Sequence, residues 1–279
     1  MIYIVATPIG NLKDITIRAL DALNESELIY CEDTRNTSVL LNHYEIKKKL
    51  VSFHEHNELS RSEEIIKYTK EGKIISIVSD AGMPGISDPG SKLIGQLIEQ
   101  EIEYTVLPGP SAFTTALVYS GLNNDVFKFI GFLPVKGKQR KEKLEMIKNE
   151  KNTIMLYEAP HKLDKTMADL IEIIPNRKIS VVRELTKIYE SATTFIIKDY
   201  EHQEIVKKGE MVLVIDKDNE EIKMSDEFII EKLEEAISRG LRKKEAVSEV
   251  VEFFDVNKNR VYKLSIDLWC SVFCVDTSF

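Results

Sequence analysis

Cysteine is scarce in this chain of 279 residues: Cys31, Cys270 and Cys274 are the whole supply. So sparse and odd a set excludes a secreted disulfide framework. Cys270 and Cys274 stand four apart with no partner ligands nearby, a spacing that reads as packing rather than as a metal or redox pair. Long apolar runs are missing too, and none approaches the ~18 residues of a membrane span. The start, Met1 to Ala6, has no basic n-region and reads as a strand, so no signal peptide is expected there. The expectation is a soluble cytoplasmic protein. Neither G-x-G-x-x-G, nor G-x-x-x-x-G-K-[ST], nor H-E-x-x-H occurs. A dinucleotide or ATP phosphate cradle and a zinc-protease helix are therefore unsupported. Positive charge is in deficit as well: 38 Lys and Arg against 46 Asp and Glu give −8. That speaks against indiscriminate coating of nucleic acid.

The deficit is unevenly distributed. Lys136–Lys151 holds seven basic and three acidic residues, or +4. Asp216–Glu235 holds nine acidic and three basic residues, or −6. Beyond it Arg239, Arg242, Lys243, Lys244, Lys258, Arg260 and Lys263 outweigh four acids between Glu245 and Asp255, giving +3. Local basic surfaces therefore survive an acidic sum.

Strand and helix patterns alternate through the first half. Apolar, β-branched runs predict strands at Ile2–Ala6, Leu28–Cys31, Leu50–Phe53, Lys73–Ser79 and Tyr104–Leu107. Helical spacing falls at Thr16–Leu23, Ser62–Lys70, Lys92–Gln100 and Ser111–Ser120. Such alternation predicts βαβ units and a mostly parallel sheet over 1–122. After a junction at Leu122–Leu133, a second α/β domain is expected over 123–217. Its predicted strands are Thr153–Tyr157, Lys178–Arg183, Thr193–Ile197 and Met211–Ile215, with a helix at Lys162–Ile174. The last strands lie too close together for helical crossovers, so this sheet is expected to be mixed. Residues 218–279 read as an acidic linker and a helical module, with helices at Glu227–Arg239, Lys243–Phe254 and Lys258–Leu268. Three short helices with tight turns fit either a helix-turn-helix module or a plain helical appendage.

Chemistry is concentrated after the predicted strands, where open α/β sheets bind ligands. Ala6-Thr7-Pro8-Ile9-Gly10-Asn11-Leu12 follows the first strand, and Glu32-Asp33-Thr34-Arg35 the second. Asp33 and Arg35 suit a structural pair or helix cap as well as a polar site. His54-Glu55-His56-Asn57 follows the third; no third ligand accompanies His-x-His, so a polar patch is preferred to a metal site. Ser79 to Gly90 packs three glycines, two prolines and two aspartates into twelve residues, too many for an ordinary connection. Pro108-Gly109-Pro110-Ser111-Ala112 ends at a predicted helix N-terminus, which offers donors to a carboxylate. Together these loops outline one small-molecule site.

With Tyr157-Glu158-Ala159-Pro160-His161 and Arg183-Glu184-Leu185-Thr186-Lys187, the same motifs in this order resemble the tetrapyrrole methylase superfamily, and within it the branch acting on small-subunit ribosomal RNA. The resemblance covers roughly residues 1–215. It implies a homodimer, two α/β domains with S-adenosylmethionine in the cleft between them, and 2′-O-methylation of a cytidine in the decoding region of 16S rRNA, with the 30S subunit as the expected context. By motif, Pro8 and Ile9 would border the methionine end of the cofactor. Asp80 and Met83 would meet its amino acid and ribose portions, and Ser111 and Ala112 would contact it from the next loop. Leu156, Tyr157 and Met211 would flank the adenine. Met83 stands where the family usually has Thr; a lost hydroxyl contact there would cost on the order of 1 kcal/mol. The end of the chain, Trp269–Phe279, does not resemble the family's usual end.

Methyl transfer of this kind depends on positioning and on withdrawal of the hydroxyl proton. Asp33, His54, Glu55 and His56, with Glu184 behind them, are the candidate proton acceptors, and residue type singles out none. Arg35, Arg183 and Lys187 are candidates for phosphate contacts, each also readable as a salt-bridge partner. Lys136, Lys138, Arg140 and Lys141 would track an RNA backbone, or else belong to a solvated amphipathic helix. A tetrapyrrole methyltransferase and a non-enzymatic RNA-binding protein remain as alternatives. The basic segment and helical tail speak against the first.

Overall fold

In a computed structural model of the chain, residues 1–218, 226–254 and 256–273 are described. Asp218 begins the second of two compact units, the first being Met1–Lys217.

The first unit opens with five strands: β1 (Ile2–Val5), β2 (Leu28–Cys31), β3 (Lys49–Ser52), β4 (Ile75–Val78) and β5 (Tyr104–Leu107). They form one sheet in the order β3-β2-β4-β1-β5, every pair parallel. Helices cover both faces. Ile65 and Ile66 of α3 (Glu58–Lys70) and Leu93 and Leu97 of α4 (Ser91–Glu99) pack on Ile2, Ile4, Ile75 and Ile77. Ala19, Ala22 and Leu23 of α1 (Ile17–Glu25) and Leu41 of α2 (Thr34–His43) pack on Val5, Ile29 and Val78. Burial on both faces is why these strands read as unbroken apolar runs.

The second sheet runs β6 (Phe127–Phe132), β7 (Thr153–Glu158), β10 (Met211–Ile215), β8 (Lys178–Arg183), β9 (Ser191–Ile196). Only β6 and β7 are parallel, so the sheet is mixed as expected. One face carries Ile147 of α6 (Lys138–Asn149) and Leu163, Met167 and Leu170 of α7 (Leu163–Ile173), against Ile154, Leu156, Val181 and Leu213. The other takes α5 (Ala112–Ser120), whose Ala116 and Leu117 meet Met155, Val182, Val212 and Val214.

Three features depart from the sequence reading. Thr34–His43 is a helix, started by the Asp33 carboxylate accepting from the Arg35 amide at 2.8 Å. Phe127–Phe132, read as a junction, is an edge strand; Phe127 and Phe132 are exposed and Gly131 takes positive φ, so neither strand alternation nor a buried run marks it. The helix expected from Ser62 begins at Glu58.

In the second unit α8 (Asp226–Ser238), α9 (Lys243–Phe254) and α10 (Lys258–Phe273) share a core that includes Ile229, Leu233, Val247, Val250 and Val261. The expected acidic linker at 219–225 lies outside the described residues. So do the side chains of 269–279, including the Cys270/Cys274 pair. No described helix is long and apolar enough to cross a membrane.

Candidate active site

The strand order sets the carboxyl ends of β2, β4, β1 and β5 side by side, so loops far apart in sequence meet. The loop after β1 and the glycine-rich loop after β4 are joined as a one-residue ladder. Thr7 N donates to Gly82 O at 2.9 Å, and Gly82 N donates to Thr7 O at 3.0 Å. Thr7 Oγ1 donates to Ser79 O at 3.1 Å. A Cβ at Gly109 would stand 2.8 Å from the Ala6 Cβ, so the β5 loop approaches the β1 loop only because position 109 has no side chain. Glu58 fixes the far end of the glycine-rich loop. It is 3% exposed, and its Oε1 accepts from Gly90 N at 3.0 Å and Lys92 N at 3.2 Å. Asp80 ties in the second strand by accepting from Asp33 N at 3.0 Å and Asn36 Nδ2 at 2.8 Å.

These loops wall one side of a cavity of about 430 Å³, and the second sheet walls the other. That volume lies in the range of small-molecule sites. Of the residues expected to hold a cofactor, Ile9, Asp80, Met83, Ser111, Ala112, Tyr157 and Met211 line it. Pro8 and Leu156 do not. Pro8 is buried within the β1 loop. Leu156 corrects the sequence reading: side chains alternate along β7, and Leu156 faces the α6–α7 layer while Tyr157 faces the cavity.

The polar lining is acidic. Glu32, Asp80, Asp88, Glu158 and Glu210 all border the cavity, and among the described residues no Lys, Arg or His does. Glu158 and Glu210 have partners: Thr166 Oγ1 donates to Glu158 at 2.5 Å, and Lys187 Nζ reaches Glu210 at 2.7 Å. Burial, followed by the charges of Glu32 and Asp80, pushes the Asp88 carboxyl up to about 7. Burial and then Asp80 push Glu32 upward as well. Glu32 and Asp88 were both missed as site residues. The repeat of Asp at both ends of one glycine-rich loop was the available signal for Asp88.

That shift has a stability consequence. An ordinary carboxyl ionises near 3.8, so between about pH 4 and 7 the folded protein holds a proton that the unfolded chain releases. Stability is then lost as pH rises through that window, by roughly 2 kcal/mol once screening is allowed for. Asp88→Asn is expected to raise the melting temperature at pH 8 and leave it unchanged near pH 4. Thermal unfolding at both pH values checks this, and an equal shift at both would refute it.

None of the five proposed proton acceptors lines the cavity. Asp33 is the cap of α2 and pairs with Arg35 at 2.6 Å; that guanidinium's hydrogen bonds hold its carboxyl down at about 2, a poor base. His54 is half-buried with its Nε2 3.3 Å from Asn57 Nδ2, while Glu55 and His56 are exposed. Glu184 accepts from Glu210 N at 3.0 Å and pairs with Lys187 at 3.0 Å; the Glu210 amide first, then Lys187 and the charge of Arg183, lower its pKa. Its carboxylate occupies the space a Cβ at Gly209 would need.

The basic candidates divide. Arg35 is 88% exposed, and Lys136, Lys138 and Lys141 are exposed. Arg183 is spent on Lys208 O, Tyr189 O and Ser191 Oγ, and Lys187 on two carboxylates, so both hold the β8–β9 loop. Arg140 corrects the sequence reading outright. It is 6% exposed and donates to Asp169, Thr166 and Pro134 O, because one residue per turn of the basic helix must face its core. Among the described residues no group of three or more His, Cys, Asp or Glu is placed to hold a metal ion.

The comparisons agree with this geometry. Solved structures with the same fold include a diphthine synthase (TM-score 0.63, 14% identity, covering 77% of this chain and 89% of that one) and the methyltransferase CobJ (TM-score 0.59, 19% identity, 78% and 94%). Residues 1–199 match the family model of Tetrapyrrole (Corrin/Porphyrin) Methylases. A ribosomal RNA small subunit methyltransferase I of Halalkalibacterium halodurans is 42% identical over 270 residues, 94% of this chain and 93% of that one. The Bacillus subtilis protein of the same name is 40% identical over 271 residues, 94% and 92%. The chain belongs to the tetrapyrrole methylases and, among them, to the ribosomal RNA small subunit methyltransferase I family.

Proposed function

We propose that the chain transfers a methyl group from S-adenosylmethionine to the 2′-oxygen of a cytidine in the decoding region of 16S rRNA, acting as a cytoplasmic homodimer on the 30S subunit. The observation that carries the reading is the cavity at the joined strand ends. Its shape and chemistry fit the cofactor. Tyr157 and Met211 offer a flat apolar wall for a purine, and Asp80 offers a carboxylate to hydroxyl or ammonium groups. Ser111 precedes α5 without using its side chain as a cap, leaving first-turn amides for a carboxylate. The bound cofactor supplies an electrophilic methyl on a good leaving group. The protein's part is to orient: the loops are fixed by the Thr7–Gly82 ladder and by Glu58, so the reacting groups meet in one geometry. The domain division at 122/123 and 217/218 belongs to the same reading.

The exposed lysines of α6 favour RNA over a tetrapyrrole as substrate. Exposed Val106 on the edge strand β5 and Val118 and Tyr119 on α5 favour cover by a second copy. Methyl-labelled cofactor incubated with undermethylated 30S subunits is expected to label rRNA ribose at one cytidine, read by nuclease mapping. Label absent from rRNA ribose overturns the reading. A second expectation separates the basic residues. Lys138→Ala with Lys141→Ala should flatten the dependence of log affinity on log salt by roughly 1 to 2 units. Arg140→Ala should leave that slope alone and lower the melting temperature instead. Equal slopes in all three proteins would remove α6 from the RNA surface.

A further inference from the structure

We infer that Glu32, Asp80 and Asp88 make the cavity a charge discriminator, holding the sulfonium form of the cofactor in preference to the thioether that remains after methyl transfer. The inference rests on the reading that this cavity takes S-adenosylmethionine.

The three acids differ from the other two at the cavity. Glu158 and Glu210 are matched by Thr166 and Lys187. Asp80 accepts only from an amide N–H and an Asn side chain, and Asp88 makes no hydrogen bond or ion pair within the chain's described residues. The walls beside them are apolar, with Ile9, Val182, Leu185 and Val212, which strengthens any charge interaction inside. Because both ends of the glycine-rich loop are fixed, the aspartates at its two ends cannot disperse to relieve their repulsion. The element that such a cluster of acids favours is a cation.

Methyl transfer changes that element by one unit. The C–S bond breaks with its electron pair left on sulfur, the C–O bond forms, and the hydroxyl proton passes to solvent water. Donor and product otherwise carry the same groups, so the acids distinguish them through the sulfur charge. A cation arriving here draws the proton from Asp88, and a neutral thioether lets it stay. The groups facing Asp88 are Glu32 from the end of β2, Asp80 from its own loop and Tyr157 from β7, whose phenol is pushed up to about 12 by burial and then by Asp88. Product release gains from the same device that captures the donor.

Calorimetric titration of the full chain tests this with S-adenosylmethionine, S-adenosylhomocysteine and sinefungin, which has a protonated amine in place of the sulfonium. From pH 6 to 8 the affinities for the two cations are expected to rise about five- to tenfold, and that for the thioether less than about twofold. Donor binding should release protons, seen as a heat that varies with the ionisation enthalpy of the buffer. In Asp88→Asn the donor-to-product affinity ratio at pH 8 should fall at least about fivefold. If donor and product affinities move together with pH and in the variant, the inference is overturned while the cavity stands as the cofactor site. If wild-type protein binds none of the three, the cavity reading itself falls.

Discussion

Asp80→Ala is expected to weaken S-adenosylmethionine binding at least about 100-fold, equivalent to ~2.7 kcal/mol. Two losses combine. The cavity loses an acceptor at the joined strand ends, and the turn after β2 loses its tie, because Asp80 Oδ1 and Oδ2 accept from Asp33 N and Asn36 Nδ2. Asp80→Asn separates them. It keeps an oxygen for the Asp33 amide but removes the charge, so a smaller loss, about tenfold, is expected. Titration calorimetry reads both, with circular dichroism to show that each variant is folded. Unchanged affinity in Asp80→Ala would mean that the cofactor's polar groups are held elsewhere.

The largest effect on stability is expected from Arg177→Ala. Arg177 is 6% exposed and acts as a clip between three chain segments. Its Nε donates to Asp216 O at 2.9 Å, Nη1 to Glu150 O at 2.7 Å and Nη2 to Asn152 O at 2.8 Å. It thereby joins the start of β8, the end of β10 and the turn before β7. Truncation strands one buried and two half-buried carbonyl oxygens at about 1 kcal/mol each, or roughly 3 kcal/mol in total. For a unit of this size that lowers the melting temperature by roughly 6–15 °C. Arg177→Lys restores one donor of the three and should recover less than half of the loss. A shift under 2–3 °C in Arg177→Ala, about 1 kcal/mol, would show that water replaces the clip.

The readable parts of the fold share a physical cause. Strands β1, β2, β4 and β10 are buried on both faces, so their apolar runs are continuous and carry their own signal. The edge strand β6 is half-exposed and α2 begins in the polar residues Thr34 to Ser38, so neither shows the period that a buried face imposes. At the site, motif order identified the loops, and seven of the nine cofactor candidates line the cavity. The acids were less accessible. A carboxylate becomes unusual through what surrounds it: Asp33 is an ordinary cap beside an arginine, whereas Asp88 is hemmed in by two other acids. Arg140 makes the same point for the basic helix, where composition gives the charge of the segment and not which side chain turns inward.

Helix α5 follows the last strand of the parallel sheet, yet its apolar side is completed by the mixed one. The two sheets are consequently not interchangeable modules. Expressed alone, residues 1–122 would carry Phe113, Ala116 and Leu117 into water as an adhesive stripe, and the mixed sheet alone would lack its lid. Recombination between relatives that cut the chain after α5 would succeed only where the incoming sheet kept the counter-surface for this helix. The boundary visible in the chain's layout is thus a poor place for evolution, or an engineer, to splice.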